Sequence, residues 1–132
     1  MMTGISSSLG RLLAPLSVLA FAVAAQPAGA EDAAAMKASE HIYDTYCAQC
    51  HGVNRNGKGV NTVGLSVQPR DHSDTRGMSS IPIEEMTKAI REGGVSVNKS
   101  ALMPPWNSVL SDEQITNMVA YLRKVCRCDT PQ

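Results

Sequence analysis

Two cysteines and a histidine lie close enough in the sequence to hold one cofactor together: Cys47, Cys50 and His51. Two thiols three positions apart, followed at once by an imidazole, suit covalent attachment of a c-type haem. The thiols would form thioethers with the porphyrin, and His51 would be the proximal iron ligand. The alternatives are a thioredoxin-like redox pair, half of a zinc site and a plain disulfide. A thioredoxin pair should open a helix after a strand, and zinc needs a second ligand pair; the sequence offers neither context.

The second axial ligand is expected to be a methionine from the distal part of the chain. Four methionines follow the haem motif: Met78, Met86, Met103 and Met118. The second and fourth belong to apolar stripes of predicted helices, whereas the first and third lie in predicted loops. Met103 is favoured, because the two prolines that follow it restrict the chain and lower the entropy cost of holding a weak ligand. Met78, His72 and an open sixth position are the alternatives.

Two further residues are candidates for the haem pocket. A ligating imidazole usually gives its other N–H to an acceptor, and the backbone carbonyl of Pro69 is the predicted partner of His51. Proline cannot donate and holds the chain extended, although Pro69 could equally only shape a turn. Trp106 is expected to pack against the haem or the core, with its indole N–H within reach of a haem propionate.

Two more cysteines, Cys126 and Cys128, lie near the end of the sequence. If the first two cysteines are thioethers, these can pair only with each other or with another molecule. Helical residues two apart point to nearly opposite sides, so mutual pairing needs non-helical backbone after Val125. The options are a disulfide, a link to a partner and a soft-metal pair. A disulfide is favoured, since exported thiols seldom stay reduced. We expect both residues to be dispensable for redox chemistry.

Residues 1–30 predict a cleaved secretory signal peptide. Arg11 is their only charge, residues 12–25 are almost entirely apolar, and Ala28-Gly29-Ala30 forms a cleavage site. The apolar run is shorter than the roughly 20 residues that span a bilayer, although an uncleaved anchor is an alternative. The prediction is export to a bacterial periplasm, without stable membrane insertion after cleavage. This agrees with haem attachment outside the cytoplasm.

The mature chain, residues 31–132, has the size of one small domain. Removal of Arg11 leaves 11 Lys and Arg against 12 Asp and Glu. Because this charge is nearly balanced and no basic block occurs, nucleic acid is not an expected partner. Only three Tyr and one Trp remain as aromatic residues after cleavage. A buried porphyrin would supply the missing apolar bulk, so we expect the apoprotein to be poorly folded.

Three helices are predicted to position these residues. The first spans residues 33–46, with a stripe of Met36, Ser39, Ile42 or Tyr43, and Tyr46. The second starts at Ser79-Ser80-Ile81-Pro82, buries Ile83, Met86 and Ile90, and ends at Gly93-Gly94. The third opens with the capping box Ser111-Asp112-Glu113-Gln114, runs to about Val125, and buries Ile115, Met118, Val119 and Leu122.

The first and last helices are expected to cross near Ser39 and Tyr43. The small side chain of Ser39 would permit a close crossing, although a solvent-facing position is equally compatible with the sequence. Residues 52–78 show no period and many Gly and Asn, which indicates turns. So long an irregular loop argues against a compact fold unless it wraps a flat cofactor.

Several features fit one family in their order along the chain: Tyr43 four residues before Cys47, the attachment motif with Gly52, Pro69-Arg70-Asp71, Gly93-Gly94, Met103-Pro104-Pro105-Trp106, and Ala120-Tyr121-Leu122-Arg123. In this order the mature chain resembles a class I c-type cytochrome of the small bacterial monohaem kind. The resemblance implies an all-α fold wrapped around one covalent haem, with crossing terminal helices. It also implies that His51 and Met103 are the axial ligands. Two departures are Ser39, where related sequences often carry glycine, and the cysteines of Cys126-Arg127-Cys128.

The expected function is one-electron transfer between Fe(III) and Fe(II), by a monomeric periplasmic carrier without catalysis of its own. Redox partners are expected to dock transiently at the exposed haem edge. One alternative is a dedicated haem subunit of an oxidoreductase complex, which would need a stable interface. Another is a gas-binding or peroxidase-type haem protein, which would need a displaceable sixth ligand.

Overall fold

A computed structural model describes residues 28–128 and Met1. The remainder of the predicted signal peptide and the last four residues lie outside the described part of the chain. Residues 28–128 contain five α-helices and no strand, which confirms the all-α prediction. Their bounds are α1 Ala28–Ile42, α2 Ala48–His51, α3 Thr75–Ser79, α4 Ile83–Glu92 and α5 Asp112–Val125. None of the helices in this part of the chain is long and apolar enough to cross a membrane.

The helix before the haem motif changes its pitch at Tyr43. A π-helical turn, Tyr43–Cys47, joins α1 to α2, so the helix continues through His51. A π-helical turn carries more residues than an α-helical one and rotates the side chains that follow. Tyr43 is buried, but Tyr46, predicted on the same stripe, is exposed and lies against Trp106 with ring centroids 5.5 Å apart. That part of the predicted stripe is therefore wrong.

Helices α1 and α5 pack against each other, as the sequence predicted. Ser39 on α1 is buried, which agrees with the close-crossing alternative. At the start of α5 the predicted capping box is complete: Ser111 accepts from the Gln114 N–H, and the Gln114 side chain accepts from the Ser111 N–H. The predicted buried stripe of α5 is also confirmed.

The segment before α4 differs from the prediction in two ways. Met78 does not lie in a loop but in the short helix α3, where it is buried. Ser79 and Ser80 do not cap α4, because their hydroxyls donate to carbonyls within α3, those of Thr75 and Gly77. Pro82 is the residue before the first turn of α4 instead. Five residues are too few to show a helical period in sequence, so α3 was missed.

Helix α4 buries Met86 and Ile90 but leaves Ile83 half exposed. The prediction for Ile83 was therefore wrong, because a first-turn residue at the helix end projects beyond the core that covers the later turns. The helix ends at Gly93, as predicted, with a φ of 82° that L side chains rarely adopt. A 3₁₀ turn, Gly94–Val97, follows directly.

Beyond α5 the backbone leaves the helix and Cys126 forms a disulfide with Cys128, the option that the sequence favoured. Arg127 between them takes a positive φ of 55°, so the link forms on non-helical backbone, as the geometry of two residues so close in sequence requires. Cys126 is fully buried in the main hydrophobic cluster, and Cys128 packs against that cluster.

Candidate haem site

A cavity of about 480 Å³ lies between the haem motif and helices α3, α4 and α5. This is within the size range of cofactor sites in proteins, and such sites are mostly apolar with a few convergent polar groups. The lining includes Cys47, Cys50 and His51 from the haem motif. It also includes Met103, which comes from the loop between α4 and α5. Buried core side chains such as Met86 and Leu122 line it as well.

The hydrogen bond of the His51 imidazole favours the tautomer in which Nε2 is able to bind a metal. The ring Nδ1 lies 3.0 Å from the backbone oxygen of Arg70, and a carbonyl can only accept a hydrogen bond. Nδ1 therefore carries the proton, and Nε2 carries the lone pair. Burial lowers the pKa of His51, against the opposing effect of this hydrogen bond, and so favours the neutral ring that a metal requires.

The acceptor for His51 is one residue further along the chain than predicted. The carbonyl of Arg70, and not that of Pro69, receives the hydrogen bond. The Pro69 oxygen faces the turn at Gly57, where an added Cβ would lie 2.6 Å from it. Successive carbonyls of extended backbone point to opposite sides, so only one of the two can face the ring. Pro69 still lines the cavity and belongs to the segment that carries the acceptor.

Cys47 and Cys50 are both half-buried free thiols at the cavity wall. Burial, together with the neighbouring Cys50, raises the pKa of Cys47 to about 11, so that thiol is protonated at neutral pH. The two cysteines and His51 come from the last turns of one continuous helix. The turn that follows is closed by a hydrogen bond from the Gly59 N–H to the Cys50 oxygen, 3.0 Å long.

The loop that carries Met103 is attached to the C-terminal end of α4. The Gly94 N–H donates to the Met103 oxygen over 3.0 Å, and the Trp106 N–H donates to the Ile90 oxygen over 3.0 Å. These bonds flank the two prolines, so the loop is held at both ends. Met103 is half-buried and lines the cavity. Its role as the distal ligand stays a prediction.

The other sulfur and ring candidates also lie at the cavity. Met78, Met86 and Met118 are buried members of the core and contribute to the lining. Trp106 packs against the core and lines the cavity, as its first predicted role requires; a bond to a haem propionate remains a prediction.

A polar network behind His51 was not foreseen in the sequence. The ring of His72 stacks on that of His51, with centroids 4.3 Å apart and planes inclined by 15°. Its Nδ1 lies 3.0 Å from the hydroxyl oxygen of Tyr43 in a buried hydrogen bond. Arg55 lies over the Tyr43 ring, 5.0 Å from its centroid. His72 had been considered only as an alternative ligand, and no local pattern singled out Arg55.

The residues present fit a covalently held haem. The thiols could supply attachment points, the unprotonated Nε2 of His51 could supply a nitrogen ligand, and Met103 could supply a soft sulfur ligand at the same cavity. The apolar lining suits a porphyrin face. This donor set agrees with a c-type haem.

Comparisons with known proteins point in the same direction. A family model described as cytochrome c oxidase, cbb3-type, subunit III matches residues 34–122. Among solved structures, the fold is similar to that of "KustC0563 c-type cytochrome", with a TM-score of 0.53 and 24% sequence identity, over 66% of this chain and 95% of that one. Among curated proteins, no sequence matches.

The matched region contains the haem motif, the Met103 loop and most of α5, and therefore nearly every element that builds the cavity. The structural likeness independently supports the helical c-type cytochrome fold. The chain belongs to the family of cytochrome c oxidase, cbb3-type, subunit III, a family of c-type cytochromes, and has the all-α fold of a class I c-type cytochrome.

Proposed function

We propose that the mature chain, residues 31–132, is an exported electron carrier that holds one haem c. In this proposal Cys47 and Cys50 form the thioethers, and His51 and Met103 bind the iron. The observation that carries it is the joint position of the haem motif and Met103 at one cavity, with Nε2 of His51 free of a proton. The predicted signal peptide supports location in the periplasm.

The bound haem would supply a one-electron Fe(III)/Fe(II) couple. If His51 and Met103 both bound the iron, no coordination position would be left for a small substrate, which is the basis for expecting no catalysis. The soft thioether of Met103 would favour Fe(II), and the apolar wall would disfavour the extra charge of Fe(III), so both would raise the reduction potential. The hydrogen bonds at both ends of the Met103 loop limit rearrangement between the two oxidation states.

The test uses the full chain expressed with a haem-attachment system. We expect haem to stay on the chain through denaturation and acid-acetone extraction, and Cys47→Ala or Cys50→Ala to leave one thioether or none. The oxidised protein should show the weak near-infrared sulfur-to-iron band of His and Met ligation. Met103→Ala should abolish this band and allow carbon monoxide to bind the reduced iron.

Met78→Leu is the matched control, because Met78 is a second methionine at the same cavity. It is a volume-conserving change that should cost less than about 1.5 kcal/mol and leave the band in place. A band that survives Met103→Ala but vanishes in Met78→Leu would transfer the ligand role to α3. Release of free haem from an intact chain would refute covalent attachment.

The family description favours a second candidate, a dedicated haem subunit of an oxidase complex. The two candidates share the haem site and differ in their interfaces, because a subunit needs a stable contact and a carrier a transient one. Purification from the native source separates them. A monomer that exchanges electrons after isolation supports the carrier, and co-purification with an oxidase at fixed stoichiometry supports the subunit.

A further inference from the structure

The plane of an axial imidazole is a property that a protein must set, because a ring bound to iron can still rotate about its iron–nitrogen bond. In this chain the Arg70 carbonyl holds one atom of the His51 ring, Nδ1. A contact against the flat face of the ring would restrict rotation directly, since rotation moves the ring atoms out of the original plane. His72 lies against that face, nearly parallel, with centroids 4.3 Å apart.

His72 is itself held from several directions. The residue is 9% exposed, and its Nδ1 is hydrogen-bonded to the Tyr43 hydroxyl at 3.0 Å. Its backbone N–H donates to the Arg55 oxygen over 2.7 Å. Hydrogen bonds therefore hold both the ring and the backbone of His72 in place. The His72 ring can act as a rigid contact for the face of the His51 ring.

Tyr43 is fixed in turn by its neighbours. It is 1% exposed, and its ring lies 5.9 Å from that of Tyr121 on α5. The Arg55 guanidinium lies over the same ring. Burial raises the pKa of Tyr43, so the phenol that is hydrogen-bonded to His72 stays neutral. The packing of the two terminal helices thus reaches the face of His51 through two side chains.

We propose that His72, held by Tyr43, is a positioning residue that sets the plane of the His51 imidazole at the haem iron. The inference rests on the proposed role of His51 as the proximal ligand. An apolar side chain would fill the same space, but it could not form the hydrogen bond with Tyr43 that fixes the ring. The hydrogen bond between the buried Tyr43 and the buried His72 therefore fixes the orientation of the His72 ring, which packing alone would not do.

The test measures ligand orientation, which stability alone does not change. In oxidised low-spin haem proteins, the proton NMR shifts of the ring methyls and the largest EPR g-value depend on the planes of the axial ligands. We expect His72→Leu, which removes the ring stacked on His51, to change the spread of the haem methyl proton shifts. Tyr43→Phe, which removes only the hydroxyl, should change the spread in the same direction by a smaller amount.

Val119→Ala is the control, because Val119 is a buried α5 residue that does not line the cavity. It should lower thermal stability and leave the methyl shifts and the g-value unchanged. If His72→Leu and Tyr43→Phe behave like this control, both side chains are only core residues and the inference fails. A wild-type protein without a His51-ligated low-spin spectrum would refute the proposed function first. A normal wild-type spectrum with unresponsive variants refutes the positioning role alone.

Discussion

At the residue scale, Arg55 connects the turn after the haem motif to α5 and to the π-helical turn that follows α1. Its Nε donates to the Tyr121 hydroxyl on α5 over 2.8 Å, and its Nη2 lies 2.8 Å from an oxygen of Asp44. Its guanidinium also lies over the Tyr43 ring. Arginine suits this place, since its planar cation can stack on a ring while its edge donates hydrogen bonds.

We expect Arg55→Met to lower the free energy of unfolding of the haem-loaded protein by about 2–3 kcal/mol, because it removes charge-assisted hydrogen bonds at a half-buried site. Arg91→Met is the control. Arg91 forms an ion pair with Asp112, whose side chain is 82% exposed, and such pairs contribute at most about 1 kcal/mol. Denaturant unfolding measures both. Equal losses in the two variants would contradict the connecting role of Arg55.

At the scale of elements, the end of α4 positions the loop that carries Met103. The chain turns at Gly93 and then approaches the loop so closely at Gly94 that the backbone N–H of Gly94 bonds the Met103 oxygen. A Cβ on Gly94 would overlap the Ser100 carbonyl oxygen and lie 3.3 Å from the Met103 Cβ. The loop and the helix end thus depend on a residue without a side chain.

Gly94→Ala should therefore displace the Met103 loop. We expect a weaker near-infrared sulfur-to-iron band and carbon monoxide binding to the reduced protein, with the covalent haem retained. Gly64→Ala provides a control, since Gly64 has a φ of 79° and open space around it. That variant carries backbone strain and should keep the band. If the band is intact in Gly94→Ala, this contact does not position the ligand.

At the scale of the whole molecule, the first and last helices pack together, and α5 contributes Met118 and Leu122 to the cavity wall. The turn after α5 places the fully buried Cys126 in the hydrophobic cluster. Both cysteines lie beyond the last helix, as predicted, but the burial of Cys126 was not foreseen in the sequence. Their dispensability for redox chemistry remains a prediction, which concerns the haem and not the fold.

The buried position predicts a difference between two double variants. Cys126→Ser with Cys128→Ala should unfold about 1 kcal/mol more easily than Cys126→Ala with Cys128→Ala, because serine places a hydroxyl at a site with no exposure, where the carbonyl within reach, that of Arg123, already accepts from the Cys128 N–H. Both variants lack the disulfide, so the difference between them reports only the effect of the hydroxyl group at position 126. Denaturant unfolding gives the difference, and the visible spectrum should stay unchanged in both. Equal stabilities would mean that the hydroxyl finds a partner, and a large spectral change would mean that this end of the chain affects the haem.

The sequence by itself determined the features that depend on neighbours along the chain. The spacing of Cys47, Cys50 and His51 indicates haem, and the capping box at Ser111 predicts the start and buried face of α5. The glycines after α4 mark its end. Each of these signals lies within a few residues, where bond geometry and hydrogen bonds to nearby backbone decide the structure.

Only the tertiary structure decided which distant groups meet at the site. The bond from His51 to Arg70 joins residues 19 apart, that from Tyr43 to His72 joins residues 29 apart, and that from Arg55 to Tyr121 joins residues 66 apart. No periodicity relates such positions, and a shift of one residue in an extended segment exchanges the carbonyl that faces the ring, as happened at Pro69. The contacts depend on how the loop between the haem motif and α3 folds back, which long-range packing sets.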